Sequence, residues 1–280
     1  MARFRTAALP VIAVAAFAVG GCTSGTQTTA DAETTTPAVV NPRLVTMPLS
    51  PELDHLHGLH VDADGTVLAG THSGLLALAP SGNTTRVGLS EDDLMGLSGV
   101  PGTDTLYSSG HPGPSSDAPN PLGLARSTDG GVTWESRSLV GEVDFHALAS
   151  DGAILVGFDT SSGIRVSADD GATWTPGAAI GASAVAVNDI GIWAATQGGL
   201  LLSTDGAATF TPAPGAPPVG LVSAGRDGGL WGMDDDGNAW RSRDGLSWEE
   251  FTRVGEVEAL TAVDYDTAYA ATAQELHTLR

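Results

Sequence analysis

One short turn motif occurs four times in this chain, and this repetition limits the possible folds more strongly than any other sequence feature. The four copies, which we call the repeat turns, are STDGGVTW at residues 127–134, SADDGATW at 167–174, STDGAATF at 203–210 and SRDGLSW at 242–248. In each copy the Asp carboxylate can accept hydrogen bonds from backbone N–H groups further along the turn. A Gly supplies a position with positive φ, and the aromatic residue starts the next strand. The repeat turns therefore predict a fold built from one repeated β unit.

The spacing of the repeat turns indicates the size and number of these units. The Ser that opens each turn stands at position 127, 167, 203 or 242, so the steps are 40, 36 and 39 residues. Two degenerate copies extend the series, because residues 74–84 align with 123–133 and residues 271–279 align with 195–203. A period near 40 residues is typical of four-stranded propeller blades. The sequence therefore predicts an all-β, six-bladed β-propeller.

The ends of the repeat series predict how the ring closes. The last unit stops at Arg280 after its third strand, whereas residues 42–49 precede the first unit and have the pattern of a short strand. Adding this N-terminal strand to the last blade would remove the open edge. One step is longer than the others because of a Pro-, Gly- and Ser-rich insertion at 110–121. Seven blades are the alternative if this long unit hides another blade, and a β-sandwich has no reason to repeat at this period.

The N-terminal 41 residues are predicted to lie outside the propeller. Arg3 and Arg5 precede an apolar stretch at 7–19 that is too short to span a bilayer. The following sequence Val-Gly-Gly-Cys resembles a bacterial lipobox, so we predict a signal peptide at 1–21 and lipidation of Cys22. Residues 22–41 form a Thr/Ala-rich flexible tether, and residues 42–280 form the propeller. This predicts an exported protein anchored to the outer side of the bacterial cell membrane.

The charge of the chain narrows the choice of partners. There is no Lys, and without Arg3 and Arg5 the chain has 10 basic against 33 acidic residues, a formal charge of −23. This negative charge repels nucleic acid and anionic lipid surfaces, so both are disfavoured as partners. Cys22 is the only Cys, so no disulfide can form within the chain. We expect a monomer.

Most of the histidines occur at equivalent positions of the repeat. Aligning the starts of the innermost strands places these residues at one position: His57, Met95, His146, Val219 and Glu258. Two residues earlier, and on the same strand face, stand His55, Asp93, Asp144 and Glu256. Aligning the turns between the second and third strands groups His72, His111, Asp159, Gln197 and Asp235. All these positions belong to one end of the propeller, near its axis, whereas the repeat turns belong to the opposite end.

This convergence predicts a ligand-binding funnel. Its candidate residues are His55, His57, His72, His111, His146, Asp159 and Asp235, and its five histidines are candidate metal ligands. Imidazole and carboxylate together suit a divalent transition metal, although a carbohydrate would use the same groups as hydrogen-bond partners. A single histidine would be interpreted as a structural residue, but several converging histidines and carboxylates are costly unless they bind something. His60 and His277 fall outside these positions and are interpreted as packing or surface residues.

The repeat turns and the histidine-bearing segments together resemble a known group of proteins. The segments are DHLHGL at 54–59, GTHSGL at 70–75, SGHP at 109–112 and GEVDFHAL at 141–148. With the repeat turns they are similar to bacterial secreted or lipoprotein Asp-box (BNR-repeat) proteins described as sialidase-like glycosyl hydrolases. The resemblance implies a propeller and glycoside hydrolysis. The Arg-Ile-Pro segment of sialidases does not occur, and Tyr107, Tyr265 and Tyr269 lie outside the predicted funnel, so we assign no sialidase catalytic residue.

Two functions remain open from the sequence. The first is a membrane-anchored binding module that holds a metal ion or a small polar, glycan-like ligand in the funnel. The second is a glycoside hydrolase that uses two carboxylates from Asp93, Asp144 and Glu258. The separation of a carboxylate pair decides between glycosidase mechanisms, and the sequence does not give that distance.

Overall fold

The protein was analysed as a computed structural model that describes residues 43–280. The predicted signal peptide, the predicted lipidation site Cys22 and the predicted tether lie outside the described residues. Within 43–280 the structure is all-β, without α-helices, and its 24 strands form six four-stranded antiparallel sheets. No helix in this part of the chain is long and apolar enough to cross a bilayer. The predicted six-bladed propeller is confirmed, and the seven-bladed alternative is wrong.

In blades 1 to 5 the four strands follow one another along the chain from the inside to the outside of the blade. Blade 1 contains β2 (Leu56–Val61), β3 (Val67–Thr71), β4 (Gly74–Leu78) and β5 (Thr84–Val87). Blade 2 contains β6 (Asp93–Gly99), β7 (Leu106–His111), β8 (Leu124–Ser127) and β9 (Glu135–Ser138). Blade 3 contains β10 (Ala147–Ser150), β11 (Leu155–Asp159), β12 (Gly163–Ser167) and β13 (Thr175–Pro176). Blade 4 contains β14 (Ala184–Asn188), β15 (Gly191–Thr196), β16 (Gly199–Ser203) and β17 (Thr211–Pro212). Blade 5 contains β18 (Val219–Ala224), β19 (Leu230–Asp234), β20 (Asn238–Ser242) and β21 (Trp248–Arg253).

Blade 6 is completed by the N-terminal strand, as predicted. Its order is β1 (Leu44–Pro48), β24 (Glu275–Leu279), β23 (Thr267–Ala271) and β22 (Ala259–Asp264). Strand β1 runs antiparallel to β24, with Leu44 opposite Leu279 and Pro48 opposite Glu275. The insertion at 110–121 forms a loop between β7 and β8 rather than another blade. The ring is therefore closed by pairing of the first and last strands.

The hydrophobic core is divided among the six contacts between neighbouring blades. Between blades 2 and 3, for example, Leu124 and Tyr107 pack against Phe145, Leu148 and Leu155. Between blades 3 and 4, the cluster consists of side chains such as those of Val156, Ile164, Val185 and Ile192. Each sheet is thus covered by apolar side chains on both faces, so its middle strands are almost fully buried.

Each repeat turn connects the third and fourth strands of its blade and is closed by its own Ser and Asp. In the first turn Ser127 Oγ accepts a hydrogen bond from Gly131 N at 2.9 Å and donates one to Asp129 Oδ1 at 2.8 Å. The two carboxylate oxygens of Asp129 accept bonds from Thr133 N at 2.9 Å and Thr133 Oγ1 at 2.6 Å. The second and third turns repeat this network with nearly the same distances.

The repeat turns also join each blade to the preceding one. A Cβ on Gly131, whose φ is +83°, would meet Leu75 Cδ2 of blade 1 at 2.1 Å, and one on Gly171 would meet Leu124 Cδ2 of blade 2 at the same distance. In the second turn Asp170 pairs with Arg126 Nε of blade 2 at 2.9 Å. The turns are therefore tightly packed structural connections.

Candidate functional site

The predicted site residues of blades 1 to 3 lie at the end of the propeller opposite the repeat turns. His57 is near the start of β2, Asp93 starts β6, and His146 immediately precedes β10. His72 follows β3, and His111 ends β7. Starts of first strands and ends of second strands share one end of an antiparallel blade, whereas the repeat turns follow the third strands. We call this set, with His55 and Asp144, the histidine rim.

Local backbone features direct these side chains to the rim. The pairing of β2 with β3 shifts register between Leu56 and Gly58, so His57 lies in a bulge, and bulges re-aim side chains at strand ends. Leu56 is buried in the core, and His55 and His57 flank it. Thr71 Oγ1 donates to Gly74 O at 2.9 Å and accepts from Ser73 N at 3.2 Å, which fixes the turn that carries His72.

Three histidines of blade 1 form a compact group. Each of His55, His57 and His72 offers one ring nitrogen, and these nitrogens lie within 4.8 Å of one another. The ring centroids are 4.6–4.7 Å apart. Asp93 of blade 2 borders the group, with Oδ1 at 3.2 Å from His57 Nε2 and Oδ2 at 3.8 Å from His72 Nε2. We call His55, His57 and His72 the three-histidine cluster.

The electrostatics of the cluster keep His57 neutral. Burial lowers its pKa, and the neighbouring rings of His55 and His72 lower it further, while the carboxylate of Asp93 raises it. A pKa below the usual value of about 6.5 leaves a neutral imidazole with a lone pair at pH 7. His57 Nε2 and Asp93 Oδ1 are both buried. They lie 3.2 Å apart, yet neither atom forms a hydrogen bond among the described residues. Such unpaired buried atoms are costly and fit a group that binds a cation.

A second group of rim residues surrounds Asp144. Its Oδ2 lies 3.5 Å from His111 Nε2 and 3.6 Å from His146 Nε2. The two groups are neighbours, because Asp93 and His111 are directly opposite each other on β6 and β7. The five predicted histidines therefore lie on blades 1 to 3 in two adjacent groups, rather than all around the axis.

Two other predicted residues, Asp159 and Asp235, have different surroundings. Asp159 is buried at the end of β11 and accepts hydrogen bonds from Ser161 N at 2.9 Å, from Ser161 Oγ at 2.7 Å and from Ser162 Oγ. Its carboxylate therefore shapes its own turn, and the structure does not bring it to the histidines. Asp235 is exposed on blade 5, beside a separate cavity of about 300 Å³ that Glu256 also lines.

Glu258 joins blade 6 to blade 1 next to the three-histidine cluster. Its Oε1 accepts a hydrogen bond from Ala273 N at 3.0 Å, and its Oε2 accepts one from Leu56 N at 3.4 Å. Glu258, His57 and His146 also line one end of an axial cavity of about 350 Å³, whose walls are the innermost strands of all six blades. The rim thus borders a space for a small ligand.

The two remaining described histidines are structural. His60 is buried, and its Nε2 lies 2.9 Å from Thr103 O. His277 is also buried, and its Nδ1 lies 2.9 Å from Thr46 Oγ1 on the closing strand. Burial lowers the pKa of both rings. Both have ordinary hydrogen-bond partners, in contrast to His57.

Comparison with solved structures finds β-propellers of low sequence identity. YCF48 bound to a D1 peptide aligns with a TM-score of 0.55 at 14% identity, over 87% of this chain and 98% of that one. Virginiamycin B lyase from Staphylococcus aureus gives a TM-score of 0.53 at 12% identity, over 84% and 98% of the two chains. A structural genomics protein of unknown function from Bacteroides thetaiotaomicron gives 0.61 at 11% identity, over 82% and 70%. At these identities the likeness shows the fold alone.

The sequence comparisons add no family. No protein-family model matches the chain, and no curated protein matches it. The resemblance to sialidase-like glycosyl hydrolases therefore stays a prediction.

Proposed function

We propose that this protein binds a divalent transition metal ion at the three-histidine cluster, with Asp93 as the carboxylate beside it. The observation that carries the proposal is the set of three imidazole nitrogens, one from each histidine, within 4.8 Å of one another. In addition, the buried Nε2 of His57 forms no hydrogen bond within the described residues. A neutral imidazole is the form that binds metal, and burial lowers the pKa of His57 in favour of that form.

The distances to Asp93 support this interpretation. Ligands about 2.0–2.2 Å from a tetrahedral ion lie roughly 3.3–3.6 Å from one another. The separations of Asp93 oxygens from His57 Nε2 and His72 Nε2, at 3.2 and 3.8 Å, bracket that value. The side chain of His72 is 50% exposed, so its ring can turn towards an ion without disturbing the core.

The donor set indicates which ions fit. Three imidazoles and one carboxylate suit zinc and similar transition metals. Calcium and magnesium prefer oxygen ligands and are disfavoured. The glycoside hydrolase alternative needs a free pair of carboxylates. Both oxygens of Glu258 accept backbone hydrogen bonds, and Asp93 and Asp144 each lie beside two histidines. Metal binding is therefore the function that the rim supports best.

A matched pair of turns provides the test. His72 and Gln197 occupy equivalent turns of blades 1 and 4, since Thr71 Oγ1 donates to Gly74 O at 2.9 Å and Thr196 Oγ1 donates to Gly199 O at 2.8 Å. Full-length protein and the variants His72→Ala and Gln197→Ala would be titrated with Zn²⁺ and Co²⁺ by calorimetry. We expect His72→Ala to lose binding at the cluster and Gln197→Ala to bind like the wild type. Equal binding by all three proteins would refute the proposal.

The location of the protein follows from the N-terminal motif and is part of the proposal. Lipidation of Cys22 would hold the propeller on the outer side of the bacterial membrane. Cys22→Ser should then move the protein from the membrane fraction to the soluble fraction. Retention of the variant in the membrane fraction would contradict the anchor.

A further inference from the structure

We propose that His111, His146 and Asp144 hold a second divalent metal ion, at a site distinct from the three-histidine cluster, and that Asn120 positions His111 for it. The second site has its own carboxylate and histidines, so it does not depend on the first. Three protein ligands would leave one coordination position of a tetrahedral ion open. That position would take a water molecule or an oxygen atom of a small anionic ligand such as phosphate.

The distances around Asp144 fit an ion better than they fit hydrogen bonds. Asp144 Oδ2 lies 3.5 Å from His111 Nε2 and 3.6 Å from His146 Nε2. An N–H···O hydrogen bond spans about 2.7–3.2 Å, so neither contact is one. Both separations fall within the roughly 3.3–3.6 Å between neighbouring ligands of a tetrahedral zinc ion. Asp144 Oδ2 therefore lies at ligand spacing from each imidazole. The two imidazole nitrogens do not reach the mutual spacing of the three-histidine cluster, so the exposed ring of His111 would turn towards His146 when an ion binds.

The buried polar atoms of this group have no partners among the described residues. Asp144 Oδ1 and His146 Nδ1 are inaccessible to solvent and form no hydrogen bond. The side chain of Asp144 is only 19% exposed, and in residues 43–280 its ion-pair contacts are the two histidines, with no arginine among them. A buried carboxylate without a cation is costly, and a bound divalent ion would neutralise it.

Asn120 makes the contact that orients His111. Its Oδ1 lies 2.7 Å from His111 Nδ1 and accepts a hydrogen bond from Nδ1–H. This tautomer leaves the lone pair on Nε2, which faces Asp144. Metal-binding histidines commonly donate their second ring nitrogen in this way, and the contact fixes both tautomer and ring orientation. Asn120 makes no other hydrogen bond through its side chain in the described structure.

The insertion in blade 2 accounts for the presence of Asn120. In blade 1 only residues 72–73 separate the second and third strands, whereas in blade 2 residues 112–123 do. The loop returns to its starting point, because Leu122 N donates to Gly110 O at 2.8 Å. This closure holds Asn120 beside His111. The sequence insertion thus has a physical role at the rim.

The experiment is a count of metal ions per chain in four full-length proteins. Wild type, His72→Ala, His111→Ala and Asn120→Ala would be loaded with Co²⁺, dialysed and measured by mass spectrometry and by the Co²⁺ absorption spectrum. His72 and His111 are matched, since their side chains are 50% and 41% exposed, and an unchanged melting temperature would confirm that each variant is folded. We expect two ions in the wild type and one in each histidine variant.

The remaining comparisons test Asn120 and separate the two proposals. Asn120→Ala should weaken the second site about 10- to 100-fold, and Asn120→Asp, which keeps an acceptor for His111, should restore much of the affinity. Asn83→Ala, at an exposed turn of blade 1, is the control and should bind like the wild type. If the wild type binds only one ion, and this ion is lost in His72→Ala but kept in His111→Ala, the second site is refuted. If the single ion is instead kept in His72→Ala and lost in His111→Ala, the second site is supported and the site at the three-histidine cluster is refuted.

Discussion

The two ends of the propeller use the same residue types in opposite ways. At the repeat-turn end, Asp129 is an exposed carboxylate whose oxygens bond to Thr133 and Ser127, and these bonds lower its pKa. At the rim, Asp93 is a largely buried carboxylate whose Oδ1 has no hydrogen-bond partner in residues 43–280. The first arrangement recurs in three blades almost unchanged. The second involves only blades 1 to 3. The carboxylate that recurs in the repeat turns is thus fully hydrogen-bonded and structural. The carboxylate at the rim, which does not recur in every blade, lacks hydrogen bonds among the described residues and is a candidate for binding.

The largest expected effect is the loss of metal affinity when His57 is removed from the rim. We expect His57→Ala to reduce Zn²⁺ affinity at the three-histidine cluster by more than about 100-fold, because it deletes a ligand rather than a residue that orients one. The apo protein should not be destabilised by loss of a hydrogen bond, since Nε2 of His57 makes none within the described structure. Calorimetric titration and a melting curve of the apo protein measure the two effects. A large fall in melting temperature with unchanged affinity would assign His57 a structural role.

A methyl group in a repeat turn should give the opposite result. We expect Gly131→Ala to lower the free energy of unfolding by about 2–4 kcal/mol, because its Cβ would meet Leu75 Cδ2 at 2.1 Å and its φ is +83°. Gly130 also has a positive φ, +70°, but a Cβ there would have no atom within 4 Å. Gly130→Ala is thus the matched control, and it should cost only about 1 kcal/mol. Denaturant unfolding measures both, and equal costs would exclude the overpacking explanation.

Truncating a repeat-turn carboxylate should have a smaller effect on stability and none on binding. Asp129→Ala removes the acceptor for Thr133 N and Thr133 Oγ1, both in an exposed turn, so we expect a cost of about 1 kcal/mol. Metal affinity should stay within error of the wild type, because the turn lies at the other end of the blade. A loss of metal affinity at unchanged stability would remove the distinction between the two ends.

The smallest expected effect is an acid dependence of the repeat turns. Hydrogen bonds from the Thr173 and Thr209 side chains, with the backbone N–H groups of the same residues, hold the pKa of Asp169 and Asp205 at about 2. A carboxylate whose pKa is lower in the folded than in the unfolded state stabilises the fold above the unfolded value. This contribution should therefore be complete above about pH 4 and be lost as the pH falls towards 2. The double variant Asp169→Asn, Asp205→Asn should show a flatter stability profile in that range, and an unchanged profile would contradict this explanation.

The fold could be predicted from the sequence because its signals are local and repeated. The repeat turns fixed the unit length, and the missing strand of the last unit indicated that residues 44–49 pair with the C-terminal strand, as β1 does with β24. The end of the propeller at which the histidines lie followed from strand direction alone. These inferences needed no knowledge of side-chain orientation.

The details of the site required the structure, for three physical reasons. The bulge between Leu56 and Gly58 and the irregular pairing after Asp93 set side-chain directions that strand alternation does not give. Asp159 aligned with the site histidines, but serines two and three residues later bind its carboxylate. Asn120 was missed because it stands in an insertion without a counterpart in the repeat. The insertion itself was the only sequence signal for it.

The pairing of β1 with β24 has a consequence for the order of events during synthesis. Strand β1 is made first, yet its partner, Glu275–Leu279, is made last, and the contact between Thr46 and His277 spans 231 positions of the chain. Until residues 275–279 have been made, β1 has no partner strand, and only β22 and β23 of blade 6 can pair with each other. Contacts between such distant parts of a chain form late and slowly. The ring can therefore close only after residues 275–279 have been made and have paired with β1, so closure of the propeller follows the synthesis of all its other strands.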